Sequence, residues 1–344
     1  MPTPTIPAGN LYMNATLYTG TSAAQSITNG VAGQSFQPDM VWCKSRSGAY
    51  SHGVDDVVRG AGNTLLPNTT DSEQAWSAYF TAFNSNGFSV ASNGGTFNLS
   101  GTTYVAWQWK AGGTAVSNTS GTITSSVSAN TTSGFSIVTY SGNSSAVQTV
   151  GHGLGVTPKF ITIKQRTASG NSWVTYTSMT GAGNWLALNL TQAATTNTTL
   201  FNNTSPTSSV FTVGIDSAVN NTGQTYVAYC WSEIAGYSAF GSYTGNGSAD
   251  GPFIYTGFRP KFVMIKNTGQ ANDWFLIDTS INPSNVVGTY LFPNTSAATS
   301  TYSWLDILSN GFKIRDTGTG NNNSSINYIY ACFAENPFKY ANAR

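Results

Sequence analysis

The chain has 344 residues and a net charge of +1, and 8% of its residues are charged, against roughly 25% in ordinary soluble proteins. Near-neutrality removes the electrostatic case for binding nucleic acid or an anionic membrane surface. Aromatic residues, at 13%, exclude a disordered chain, and abundant Gly, Ser, Thr and Asn with few Lys or Glu predict an all-β protein.

Taken in chain order, the start "MPTPTIPAGN" lacks the basic and apolar regions of a secretory signal. No apolar run reaches membrane-spanning length, so folding in a reducing cytoplasm without membrane insertion is expected. The first strand signals are "LYTG" ending at Gly20 and "PDMVWCK" at 38–44, where Val41 and Cys43 share one face. There follow "YSHGVDD" from Tyr50, "LLPN" at 65–68, "DSEQAWSAYFTAF" at 71–83 (expected as a short helix), "SNGFSV" around Phe88 and "TYVAWQW" from Thr103. Residues 113–133, rich in Gly, Ser and Thr, are predicted to be a linker.

The same signals then return. "TYSG" ends at Gly142, "PKFITIK" spans 158–164, "LALN" 186–189, "SSVFTV" surrounds Phe211 and "TYVAYCW" starts at Thr225. A third set comprises "SYTG" ending at Gly245, "PKFVMIK" at 260–266, "LFPN" at 291–294, "SNGFKI" around Phe312 and "NYIYACF" from Asn327. Pro38, Pro158 and Pro260 are separated by 120 and 102 residues. Five landmarks in constant order predict three tandem β-sandwiches of jelly-roll, lectin-like type, at 1–112, 134–235 and 236–344. In each late strand one face is apolar (Val105, Trp107 and Trp109; Val227, Tyr229 and Trp231; Ile329, Ala331 and Phe333) and Tyr104, Tyr226 or Tyr328 lies on the other. Strands apolar on both faces point to contacts between domains or to a homo-oligomer, with a trimer favoured. Cys43, Cys230 and Cys332 fall one to a repeat, which predicts buried free thiols.

Candidate sites are sparse. Trp173 and Trp274, with Tyr50 and His52 nearby in the first copy, sit beside Asn or Asp at loop–strand boundaries, where ring faces stack on sugars. The same placement also suits rings that plug the ends of a sandwich. Asp56 and Asp278 each lie 12 residues after a lysine, Lys44 and Lys266. The second copy has Lys164 but Tyr176 or Thr177 at the carboxylate position. A carboxylate dispensable in one copy reads as structural, pairing with its lysine or capping a turn, and no catalytic set is assigned. His52 and His152 have no partners at ligand spacing, and "DTGTGNNNSS" (316–325) lacks calcium-loop spacing and reads as a hairpin loop. No metal or cofactor is expected.

The strings "GFSIVTYSGN", "TTYVAWQWKAGG", "GYSAFGSYTGNGSADGPFIYTGFRPKFVMIK" and "YIYACFAENPFKYANAR" together resemble domains of virion proteins from marine tailed bacteriophages. These are described as tail fibres or concanavalin A-like lectin-type proteins. The resemblance covers all three copies and supplies no catalytic residues. It implies a virion location after assembly in the host cytoplasm, and other virion proteins as partners. Its function would be adhesion to host glycan or an outer-membrane component. The alternatives are a capsid-decoration or tail-assembly subunit and, against the count of acidic residues, a polysaccharide depolymerase.

Overall fold

Apolar residues at every second position favour strands, because a pleated chain sends alternate side chains to opposite faces. In the computed structural model, which describes residues 9–30 and 34–335, this pattern builds an all-β protein of antiparallel sheets. Among the described residues, helix is confined to single turns at Gly9–Leu11, Thr198–Phe201 and Ser217–Asn220. The final residues of the closing string, 336–344, lie outside the described residues, as do residues 1–8.

Three sets of four strands follow one plan. Met13–Thr19, Thr103–Trp109, Met40–Ser45 and Gly53–Asp56 lie side by side in that order. So do Phe135–Ser141, Thr225–Trp231, Phe160–Gln165 and Val174–Thr177, and then Ser238–Thr244, Asn327–Ala334, Pro260–Asn267 and Trp274–Asp278. The registers match as well: Trp42 faces Trp107, Thr162 faces Tyr229 and Met264 faces Ala331.

Two expectations are corrected. Residues 113–133 are not a free linker: Val116–Asn118 and Ser125–Asn130 extend the second sheet beyond Phe135–Ser141. Ile123 and Val127 are buried in the core beneath, so this polar run has the apolar anchors a strand needs. The stretch 71–83 carries strands Gln74–Ala75 and Phe80–Asn84 in place of a helix. Phe80 is drawn into the apolar core, 5.5 Å from Phe88 and 5.8 Å from Phe97 between ring centroids.

One face of each set is covered by a second sheet, of three, two and four strands in turn. Ile27 pairs with Phe88, Val150 with Phe211 and Ile254 with Phe312, at corresponding points of the three covering sheets. Between the layers lie Val41 and Cys43, Ile161 and Ile163, and Val263 and Ile265. All three cysteines are free and buried, and burial pushes their thiols up. Tyr104, Tyr226 and Tyr328 share this side, each hydroxyl donating to one backbone carbonyl (Gly95, Ser217, Thr319) and accepting one backbone N–H.

The opposite faces meet each other. A single apolar core contains Trp107 and Trp109, Tyr229 and Trp231, and Ala331 and Phe333. Trp109 lies 6.2 Å from Trp231 and 5.7 Å from Phe333 between ring centroids. Large and small residues complement one another: Trp107 is paired with Ala15 and Ala331 with Phe240. The surfaces that suggested a homotrimer are thus buried within one chain. Each fully buried large apolar side chain contributes about 1.5–3 kcal/mol, so this shared core is a principal stabilising feature. Where the faces converge, a cavity of about 30 Å³ remains, lined by side chains that include Trp109, Phe160 and Met264.

The seams between the sets are closed by polar groups at strand ends. Lys44 donates to the carbonyls of Ser45 and Tyr50 (both 2.9 Å) and, across a seam, to that of Ser296 at 3.0 Å. Lys164 reaches Asn171 and Thr70, and Lys266 reaches Asn272 and Thr191, in the same way. Burial lowers each lysine to about 8. Carbonyl oxygens, not carboxylates, receive these ammonium groups, which corrects the expected Lys–Asp pairs. Replacing Lys44 by Met keeps the stem but removes the donor that these carbonyls share. It is expected to cost about 1–3 kcal/mol, read as a lower urea midpoint with an unchanged m-value.

Candidate functional site

The two tryptophans proposed as a sugar platform are both 1% exposed. Trp173 Nε1 donates to the Leu66 carbonyl and Trp274 Nε1 to that of Ala187, each at 2.9 Å and each across a seam. Their backbone N–H groups donate to Asn189 and Asn294. His52 stands at the same place in the first set: its N–H donates to Asn68 and its Nε2 lies 3.0 Å from the Phe292 carbonyl. These three rings therefore point into neighbouring segments, because burial satisfies the apolar ring body and one carbonyl satisfies its N–H. The remaining ring, Tyr50, is 37% exposed and lies against Gly95, where an added Cβ would fall 2.2 Å from the Tyr50 ring.

The histidine is a size exchange. Where the other sets carry Thr162 and Met264, the first carries Trp42, whose indole N–H donates to His52 Nδ1 at 2.9 Å. A bulkier ring on one strand is matched by a smaller ring on the next. Because Nδ1 accepts, the proton must sit on Nε2, which donates to Phe292. Burial, then the nearby Lys44 charge, hold this imidazole well below its ordinary value against the opposing pull of backbone acceptors.

The carboxylates occupy matching register positions: Asp56 opposite Met40, Thr177 opposite Phe160 and Asp278 opposite Phe262. Tyr229 donates across a seam to Asp56 at 2.7 Å, and Trp107 to Asp278 at 2.9 Å. The corresponding late-strand residue of the third set is Ala331, which has no side-chain donor, and Thr177 bonds locally to Met179. A carboxylate is present wherever the facing ring offers a proton, which explains its loss from the second set. Both aspartates also cap turns, accepting from Arg59 N–H and Ser280 N–H. Burial raises Asp278 despite the donors around it, and raises Asp55 to about 7. Asp55 accepts from Gly62 N–H and Thr64.

Sequence reasoning missed a partly buried ion network. Arg59 bridges Asp56 and Glu73, and Glu73 is gripped by both Nε and Nη2 of Arg166 at 2.9 Å across the first seam. Burial pushes Glu73 up, but Arg166 and Arg59 outweigh it and the net shift is downward. Only a register of 59 against 73 and 166 would have revealed it. His152 serves its own turn, Nδ1 accepting from Leu154 N–H at 3.2 Å.

Over residues 8–337 the chain matches the family described as domain of unknown function (DUF7483), and it belongs to that family. No curated protein and no solved structure matches it.

The geometry at His52 sets a pH dependence. The unfolded ring takes a proton near its ordinary 6.5, while the folded ring, held lower, does not. Its contribution to stability is therefore present above about pH 6.5 and lost as pH falls below it, by about 1.4 kcal/mol per pH unit at most. Ring ¹⁵N spectroscopy at about pH 6, below the ordinary value, is expected to show mainly neutral His52 protonated on Nε2. A ring that titrates near 6.5 in the folded chain would refute the assignment.

Proposed function

We propose that the chain is three tandem copies of one lectin-like β-sandwich, closed into a ring about an approximate threefold axis. In this proposal it serves as a compact structural component of a bacteriophage virion, a knob-like appendage in contact with other virion proteins. The observation that carries the proposal is the cyclic order of the seam contacts. Lys44 and His52 of the first copy reach the third, Lys164 and Trp173 of the second reach the first, and Lys266 and Trp274 of the third reach the second. Head-to-tail contacts that close after three steps give a rigid unit without further subunits. The threefold symmetry first expected of a homotrimer is supplied here by one chain, so a monomer is the proposed state.

Two further observations support a structural role. The residues with the most chemical potential (Asp56, Asp278, the three lysines and the seam rings) are engaged in joining copies, and this weighs against a depolymerase. Buried free thiols suit assembly in a reducing host cytoplasm. The proposed virion location rests on the resemblance to tailed-phage virion domains. Mass spectrometry of purified particles from the phage that encodes this chain tests it. The chain is expected in stoichiometric amounts, with threefold density of matching size in particle reconstructions. Abundance in the infected-cell lysate and absence from washed particles would sink the proposal.

A further inference from the structure

The three copies match in their seams and differ on the third copy's outside. Phe275 stands where the others have Gly53 and Val174, and Phe292 where they have Leu66 and Ala187. With Tyr290 these rings form a half-buried cluster, their centroids 5.4–5.6 Å apart. Beneath it Trp304 packs 5.2 Å from Phe275, and Tyr302, two residues before Trp304 on the strand Ser300–Leu308, is 55% exposed. The Tyr302 hydroxyl donates to Asp316 at 3.0 Å, which holds that ring at the rim.

The loop over this cluster carries a polar residue at an interior position. Tyr18 and Tyr140 donate to the carbonyls of Phe97 and Val219, both core residues. Tyr243 donates likewise to the carbonyl of Asn321. Asn321 is 4% exposed, yet among the described residues its Oδ1 has no donor, and neither does Trp304 Nε1 have an acceptor. A Cβ placed on Gly318 would lie 2.3 Å from Asp316 Oδ2 and 3.2 Å from Asn321 Oδ1, so the two acceptors converge there. A Cβ on Gly320 would lie 2.9 Å from the Phe275 ring, which brings the loop onto the aromatic cluster. An unpaired buried amide oxygen is costly, and retaining one where Phe or Val fits is a local inconsistency that a ligand donor would relieve.

We propose that this corner of the third copy binds a neutral saccharide, with Tyr302 and Tyr290 offering ring faces and Asp316, Asn321 and Trp304 completing the hydrogen bonds. The choice follows from the unpaired groups. An amide oxygen needs a donor and an indole N–H needs an acceptor, and a sugar hydroxyl is both. An anion is disfavoured by Asp316 and Asp273, whose charges both raise the Tyr290 hydroxyl after burial has done so. A bare cation leaves the indole N–H unsatisfied. Flat apolar sugar faces match the aromatic rings, which an ordered water does not use.

The proposal rests on the virion reading only for the source of the saccharide, a host surface. Purified chain is therefore tested without particles, on an array of neutral mono- and oligosaccharides and by the Trp304 indole ¹H–¹⁵N signal. At least one saccharide is expected to bind and to shift that signal. Tyr302→Ala, at an exposed position, should weaken binding at least tenfold. Asn321→Val, which introduces the second copy's residue, should abolish binding and raise the melting temperature. No binding across the array, a site that holds water alone, or unchanged binding in both variants overturns the proposal. Saccharide binding by a chain that is absent from particles would instead contradict the virion reading and leave this site standing.

Discussion

The apolar faces of three strands, Thr103–Trp109, Thr225–Trp231 and Asn327–Ala334, cover one another, and the rest of the structure depends on keeping them covered. Each set of four strands has two apolar faces. A second sheet hides one, and the other is hidden only by the remaining sets. Exposed alone, that second face would present tryptophan, phenylalanine or tyrosine rings in one contiguous patch, the kind of surface that aggregates. Mutual burial solves this within a single chain. It also explains why charge is so scarce, since much of what would be surface in three separate domains is interior here.

The polar seam contacts follow from the same constraint. Bringing the faces together buries strand ends whose carbonyls need donors, and the lysines and ring N–H groups provide them at corresponding positions. Such buried groups are weak sources of net stability, because desolvation offsets their attraction, but leaving one unpaired is costly. Their effect is to penalise wrong arrangements. Asp56 and Asp278 occur opposite Tyr229 and Trp107, whereas Thr177 corresponds to the seam that Ala331 serves. Arg59, Glu73 and Arg166 add an ion network at the first seam. The seams are thus alike in plan and different in detail.

Much of this was legible in the sequence because a strand's alternation of apolar residues shows without any further context. Val41, Ile161 and Val263 could be aligned by eye, and all three lie in layer interiors. The two-faced apolar late strand correctly signalled a contact, although periodicity could not say whether its partner was another chain. The added strands at 113–133 were hidden because Ser and Thr dominate them, with anchors as few as Ile123 and Val127. Trp173 and Trp274 read either as a platform or as plugs because a ring at a loop–strand boundary looks the same whether solvent or a neighbouring set of strands faces it. Asn321 was visible as one letter in a polar loop. Its meaning appears only beside Phe97 and Val219, which requires the register of the Tyr243 hydrogen bond.

The central claim is that the three sets share one core and fold as one unit. Differential scanning calorimetry of the intact chain tests it most directly, through the ratio of calorimetric to van't Hoff enthalpy. Mutual burial predicts a single transition with a ratio of about one. Separate transitions, or one broad transition with a ratio of about three, would mean that each set is stable alone and that their apolar faces do not hold the molecule together.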